Sequence, residues 1–287
     1  MLSSNDGGYR YGSTLQAHVR DDPHAYGVEA RTLRSAALVA GTGILLICFF
    51  GGYGEIMRQS AMSDLGIDLY DAEQETSALL LARLESPIFR GKAMMHLKAA
   101  CYSFFAIGLI DIFVALALYQ WLCFAHHPLA MITSCLRLAY TTITLAVLPN
   151  LLAALFAVYA READSIPASL RAFELGWNVV ALAIFGVHLI LLGAWMAALV
   201  NPPSRLGLSC ATEVRVTYDI ASPATVWTLA ALLFVAGAGY IADSWGKVSY
   251  FPSSSPLNLS ASGTSAGEVL FMFWVLFKYA RRPGGVQ

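Results

Sequence analysis

Charge is scarce in this chain. Asp, Glu, Lys and Arg make up 13% of its 287 residues, about half of the ~25% found in a soluble domain. The formal net charge is −1, and no basic patch is interleaved with aromatics, which excludes nucleic acid as a partner on electrostatic grounds. Cysteine is sparse too. Cys48, Cys101, Cys123, Cys135 and Cys210 are five in number with no C-x-x-C spacing, which speaks against a disulfide framework. Each reads as a small apolar filler. No set of residues with the spacing of a metal or cofactor site is found, so none is expected. An apolar h-region near Met1 is missing, so no cleaved secretory signal is expected. The polar extension 1–34 carries Arg10, Arg20, Arg31 and Arg34 among Ser, Gly and Tyr. It reads as a cytoplasmic tail, and an organelle transit peptide has the same composition.

What the chain has in abundance is apolar sequence: 57% of residues are hydrophobic and the mean hydropathy is +0.59. The apolar residues are gathered into six stretches, roughly 35–54, 99–124, 128–160, 175–200, 225–242 and 264–280. Each is about as long as ~30 Å of hydrocarbon requires at ~1.5 Å per residue. The expected fold class is therefore all-α: a polytopic integral membrane protein whose residues 35–282 form a bundle of six transmembrane helices, with a tail at 283–287. The lipid bilayer is its first partner. With six spans both termini share a side. Lys and Arg divide ten against eight in favour of that side, which places both termini in the cytoplasm or an organelle matrix.

The connections differ in character. Residues 55–98 are expected as a long extramembrane loop, opening with Asp64, Asp68, Asp71, Glu73 and Glu75 and holding a short amphipathic helix over Thr76–Leu84 that Pro87 closes. The acids lack the order of a calcium loop and read as a solvated surface. Residues Glu213–Asp219 alternate like a short strand but belong to an irregular loop. Asn258-Leu259-Ser260 forms a glycosylation pattern. His126 and His127 read as interfacial. Tyr53, Trp121, Tyr159 and Trp195 fall near span ends and are expected in aromatic belts.

Function is expected where charge survives inside a span, because a charged residue at the bilayer centre costs ~2.5–3.5 kcal/mol on insertion scales and faces the bundle. These positions are Asp111, Arg137, His188 and Glu268, with Asp243 at an edge. Counted from a turn near residue 127, Asp111 is about 16 residues deep and Arg137 about 10, a gap of ~9 Å. A pair between them would lock spans two and three. In the alternative Arg137 snorkels and Asp111 meets His188. His188 reads as a histidine hydrogen-bonded across helices. Gly186 and Gly193 share its helix face and admit a close neighbour. Thr264 or Ser265 caps span six, with Glu268 in its first turn. Gly263-Thr264-Ser265-Ala266-Gly267 also matches the Gly-x-Ser-x-Gly text of a nucleophile elbow, but no strand precedes it.

Ser86-Pro87-Ile88-Phe89-Arg90, the Asp111 span with Leu116-Ala117-Leu118-Tyr119, Leu136-Arg137-Leu138, Phe185-Gly186-Val187-His188-Leu189, Gly239-Tyr240-Ile241-Ala242-Asp243-Ser244 and Gly267-Glu268 follow one another in this order. The series resembles the DUF4386 family of multi-pass membrane proteins over about residues 35–280. The resemblance implies a six-helix bundle with Arg90, Asp111, Arg137, His188, Asp243 and Glu268 at recurrent polar positions, and no activity.

The expectation from sequence is a non-catalytic structural or accessory subunit with protein partners in a larger membrane assembly. The alternative is a small-solute or proton transporter using Asp111, Arg137 and His188. A remote third reading is an intramembrane serine hydrolase with Ser265 and His188.

Overall fold

The computed structural model describes residues 23–68, 77–123, 127–200, 222–250 and 266–280. The extensions 1–22 and 281–287, the strand-like Glu213–Asp219, Asn258, His126, Thr264 and Ser265 lie outside the described residues. All described elements are helical: α1 (Pro23–Leu65), α2 (Ser77–Glu85), α3 (Pro87–Leu122), α4 (His127–Ala160), α5 (Ser165–Glu174), α6 (Leu182–Val200), α7 (Pro223–Tyr250) and α8 (Ala266–Ala280). A π-helical segment, Leu175–Ala181, joins α5 to α6 without a break. Five helical stretches are long and apolar enough to cross a membrane: Thr32–Leu65, Pro87–Leu122, His127–Ala160, Ser165–Val200 and Pro223–Lys247. Gly267–Phe277 is apolar but shorter. The described elements are all helical, and the protein is an integral membrane protein. Its outer face carries exposed Phe49, Tyr102, Phe113, Phe156 and Phe277, as a lipid-facing surface demands.

Helices run well past the apolar stretches. Residues 55–65 and 87–98 belong to α1 and α3 rather than to a connecting loop. Hydropathy marks where a helix meets hydrocarbon, whereas stop signals mark where it ends, and the stop for α1 is Gly66. Gly66 takes φ +69°, its N–H donates to the Ser63 carbonyl, and Ile67 N–H reaches back to the Met62 carbonyl. This is the Schellman arrangement, which needs a left-handed residue after the last turn. Arg83 of α2 adds Nη1–H bonds to the Ser63 and Asp64 carbonyls at 2.8 and 2.9 Å. Pro87 opens α3 as well as closing α2: it occupies the first helical turn, where its missing N–H has no partner to lose.

The bundle packs α1 against α3, α3 against α4, and α6 against α7, with α8 resting on α1 and α7. Trp121 and Trp195 are not in an aromatic belt. Both are fully buried, their ring centroids 5.3 Å apart. Trp195 Nε1–H donates to the Leu122 carbonyl at 3.2 Å, satisfying one of the carbonyls that the end of α3 leaves open. Tyr53 and Tyr159 are exposed.

Candidate functional site

The site grows from the α3–α4 hairpin. The axial gap expected between Asp111 and Arg137 closes because the turn itself consumes residues. Since α3 ends at Leu122 and α4 starts at His127, the two residues lie about 11 and 10 residues from their helix ends, near the same depth of ~15 Å. Arg137 Nε donates to Asp111 Oδ1 at 2.6 Å, and both side chains are essentially sealed from solvent. Thr141, one turn along α4, donates its hydroxyl to the other oxygen, Asp111 Oδ2. The carboxylate is thus held at both oxygens, as a buried charge requires.

The remaining edge of the guanidinium is less well served. Nη1 lies 3.4 Å from His188 Nε2 and 3.5 Å from Glu268 Oε1. Nη2 is buried and has no hydrogen-bond partner. His188 is fixed from behind, its Nδ1 lying 2.8 Å from the Thr133 carbonyl. A carbonyl accepts only, so Nδ1 carries the proton and Nε2 presents a lone pair to Arg137. Both nitrogens of His188 are thereby engaged, and Ser265, the other residue of the hydrolase reading, lies outside the described residues. Phe185 lies under the guanidinium, its ring centroid 5.6 Å from Arg137 Cζ. Phe185 is braced in turn by Tyr140 at 4.9 Å and Tyr240 at 5.6 Å.

Arg137, Glu268, Phe185, Tyr140 and Tyr240 line a cavity of about 740 Å³. Its α1 wall runs from Ile47 to Ser63, about 24 Å at 1.5 Å per residue. Halfway along stands a second ionic group that the sequence did not single out. Arg58 reaches Glu55 at 2.6 Å and, across the bundle, Glu174 of α5 at 2.9 Å. Asp243 of α7 pairs with Lys247 one turn on, at 3.1 Å. Four of the positions expected from sequence therefore meet, namely Asp111, Arg137, His188 and Glu268. Asp243 joins the upper ionic group, and Arg90 lies half-buried in the first turn of α3, away from the cavity lining. Of the acidic loop residues, Asp64 meets His96 at 2.9 Å and Asp68 lines the cavity. His127 bonds to the Tyr119 hydroxyl at 2.9 Å.

The signal for Glu55, Arg58 and Glu174 was faint. Glu55 and Arg58 are one helical turn apart, but only a helix continuing past Gly54 turns that spacing into a pair. Gly54 does not end the helix; it is a point of close approach to α3, with Ser103 Cβ 2.9 Å from where its side chain would begin. Removing the cation by Arg58→Leu leaves Glu55 and Glu174 facing each other. The expected loss lies below the ~3–5 kcal/mol of a sealed pair, because Glu55 is 30% exposed. Thermal unfolding in detergent checks it, and an unchanged midpoint would show that the upper group contributes nothing to the fold.

No protein-family model matches the chain, and no solved structure matches it. The chain is similar to a protein of Archaeoglobus fulgidus described as "Uncharacterized protein", 27% identical over 188 residues, which cover 64% of this chain and 88% of that protein.

Proposed function

We propose that the protein carries a small polar or charged solute through its membrane domain, with the cavity as the solute's site and α8 as a sixth, shortened span. The cavity supports this reading: its lining includes Arg137 and Glu268, and a purely architectural ion pair needs no cavity beside it. Its size suits a small ligand, since such sites occupy ~300–1,000 Å³. Its lining mixes aromatic walls with few charged groups, the usual means of fixing a ligand's orientation. Glu268, in the first turn of α8, contacts Arg137 of mid-α4. Membership of the DUF4386 family belongs to the same proposal. Of the six positions that carry that resemblance, Asp111, Arg137, His188 and Glu268 meet at the cavity floor, whereas Arg90 and Asp243 stand elsewhere.

The accessory-subunit reading gives the cavity no role and is the less favoured of the two. It would return if gentle solubilisation from the native membrane yielded a stable large complex. The direct test is access. In a cysteine-free background Gln59→Cys, on the cavity wall and exposed, is expected to react with a charged thiol reagent added to one side of proteoliposomes. Phe113→Cys, on the lipid-facing surface, is expected to stay unlabelled. Equal protection of both positions would sink the proposal.

A further inference from the structure

Two carboxylates share one guanidinium at the cavity floor. Asp111 holds Nε at 2.6 Å, and Glu268 approaches only Nη1, at 3.5 Å. With both carboxylates ionised one negative charge is in excess, while the Nη1/Nη2 edge has the His188 lone pair at 3.4 Å, one carboxylate at 3.5 Å and one unpartnered, buried donor. A guanidinium edge with two parallel N–H groups is the geometry that recognises a planar oxyanion bidentately. Glu268 competes for that edge, and a second anion beside it would be repelled.

We infer that the cavity floor binds a carboxylate on a small apolar body, seated on the Nη1/Nη2 edge of Arg137, together with one proton taken up by Glu268. This deepens the carrier reading and rests on it. The apolar body has a place in the same wall, where Tyr140, Phe185, Trp177 and Tyr240 line the cavity around the guanidinium. The charge balances. The proton enters from water in the cavity and neutralises Glu268, and the incoming carboxylate replaces the lost negative charge. The cluster then keeps the single excess charge it already accommodates. Glu268 also has the position the role needs. It lines the cavity, so a proton can reach it, whereas Asp111 is sealed behind Arg137 and Thr141.

The other ionisable groups around Glu268 are fixed in number. Arg137 and Tyr140 come from α4, Asp111 from α3, Cys48 from α1, His188 from α6 and Tyr240 from α7. His188 is not the proton site, because its lone pair faces a cation and its other nitrogen is bonded to the Thr133 carbonyl. Lys247 and Arg58 stand farther up the cavity, each with a carboxylate of its own.

The test uses the full chain in nanodiscs with radiolabelled benzoate, laurate and benzylammonium as probes, and empty nanodiscs as the blank. Benzoate or laurate is expected to bind in excess of the blank and benzylammonium not to. Benzoate binding points to a free small acid and laurate to a fatty acid, and either supports the inference. About one proton should be taken up per carboxylate bound in weakly buffered solution. Affinity should then fall about tenfold per unit of rising pH once Glu268 is ionised in the free protein. Glu268→Gln should abolish both the proton uptake and the pH dependence. Binding of benzylammonium alone, binding of no probe, or carboxylate binding without proton uptake by the unmodified protein would each overturn the inference. If a charged reagent still labels Gln59→Cys in that event, the failure is confined to this inference and the carrier reading stands.

Discussion

Arg137→Gln is expected to destabilise the protein by ~3–5 kcal/mol, the usual result of removing one partner from a buried ion pair. Asp111 and Glu268 would then be two buried carboxylates with no cation between them, and Asp111 would keep only the Thr141 hydroxyl. The complementary change is expected to cost less. Asp111→Asn leaves Arg137 facing Glu268, one charge against one, and the asparagine can still accept from Nε. The order of the two effects thus reports the excess negative charge directly. Combining them should cost less than the sum of the two, because each single change already breaks the contact that both share. Thermal unfolding of detergent-solubilised single and double variants supplies the comparison. Should Arg137→Gln and Asp111→Asn each leave the midpoint unchanged, the pair has no part in holding α3 to α4. An Asp111→Asn effect larger than that of Arg137→Gln would show that the cluster is not negatively overloaded.

The lower ionic group was legible because it interrupts long apolar runs. Asp111, Arg137 and His188 stand in sequence where no surface is available to receive them, so the cost of charge in hydrocarbon is enough to single them out. The helix faces with Gly186 and Gly193 were legible for a similar reason, since small residues in a span have few roles besides close packing. The upper group was not legible. Glu55, Arg58, Glu174 and Lys247 sit just beyond the apolar stretches, where charge is ordinary. The burial of Arg58, Glu174 and Lys247 follows from helices that continue past the hydrocarbon signal, up to Gly66 in α1, back to Ser165 in α5 and on to Tyr250 in α7. Trp121 and Trp195 were misplaced by the same kind of reasoning. A tryptophan near a span end has the composition of a belt residue, and only the contact of the two rings between the ends of α3 and α6 shows that both turn inward. The π-segment Leu175–Ala181 had no signal at all, having no proline. It carries Trp177 and Asn178 into the cavity wall, in keeping with the association of π-turns with functional sites.

Gly186→Val and Gly237→Val are expected to have the other large effect, and to impair assembly of the bundle rather than one contact. A Cβ on Gly186 would stand 2.6 Å from the Gly237 carbonyl oxygen, and a Cβ on Gly237 would meet the Gly186 carbonyl in return. Overpacking a core typically costs ~1–3 kcal/mol when side chains can move aside. Here the obstacle on both sides is backbone, so the helices themselves must separate, and the cost falls at or above the top of that range. The consequence extends to the site. Residues flanking the contact, Phe185 and His188 on α6 and Tyr240 on α7, are the ones that surround Arg137. Spreading α6 from α7 would draw the Phe185 ring off the guanidinium before the bundle fails. Gly52→Ala is the matched control, for it too lies in a helix and lines the cavity, yet nothing stands within 4 Å of its added Cβ. Alanine is favoured over glycine inside a helix by ~0.5–1 kcal/mol, so this variant should be neutral or slightly more stable. Unfolding midpoints and monodispersity in detergent decide the matter. If Gly186→Val behaves like Gly52→Ala, α6 and α7 are not held by backbone contact, and the wall of the cavity on that side is set by something else.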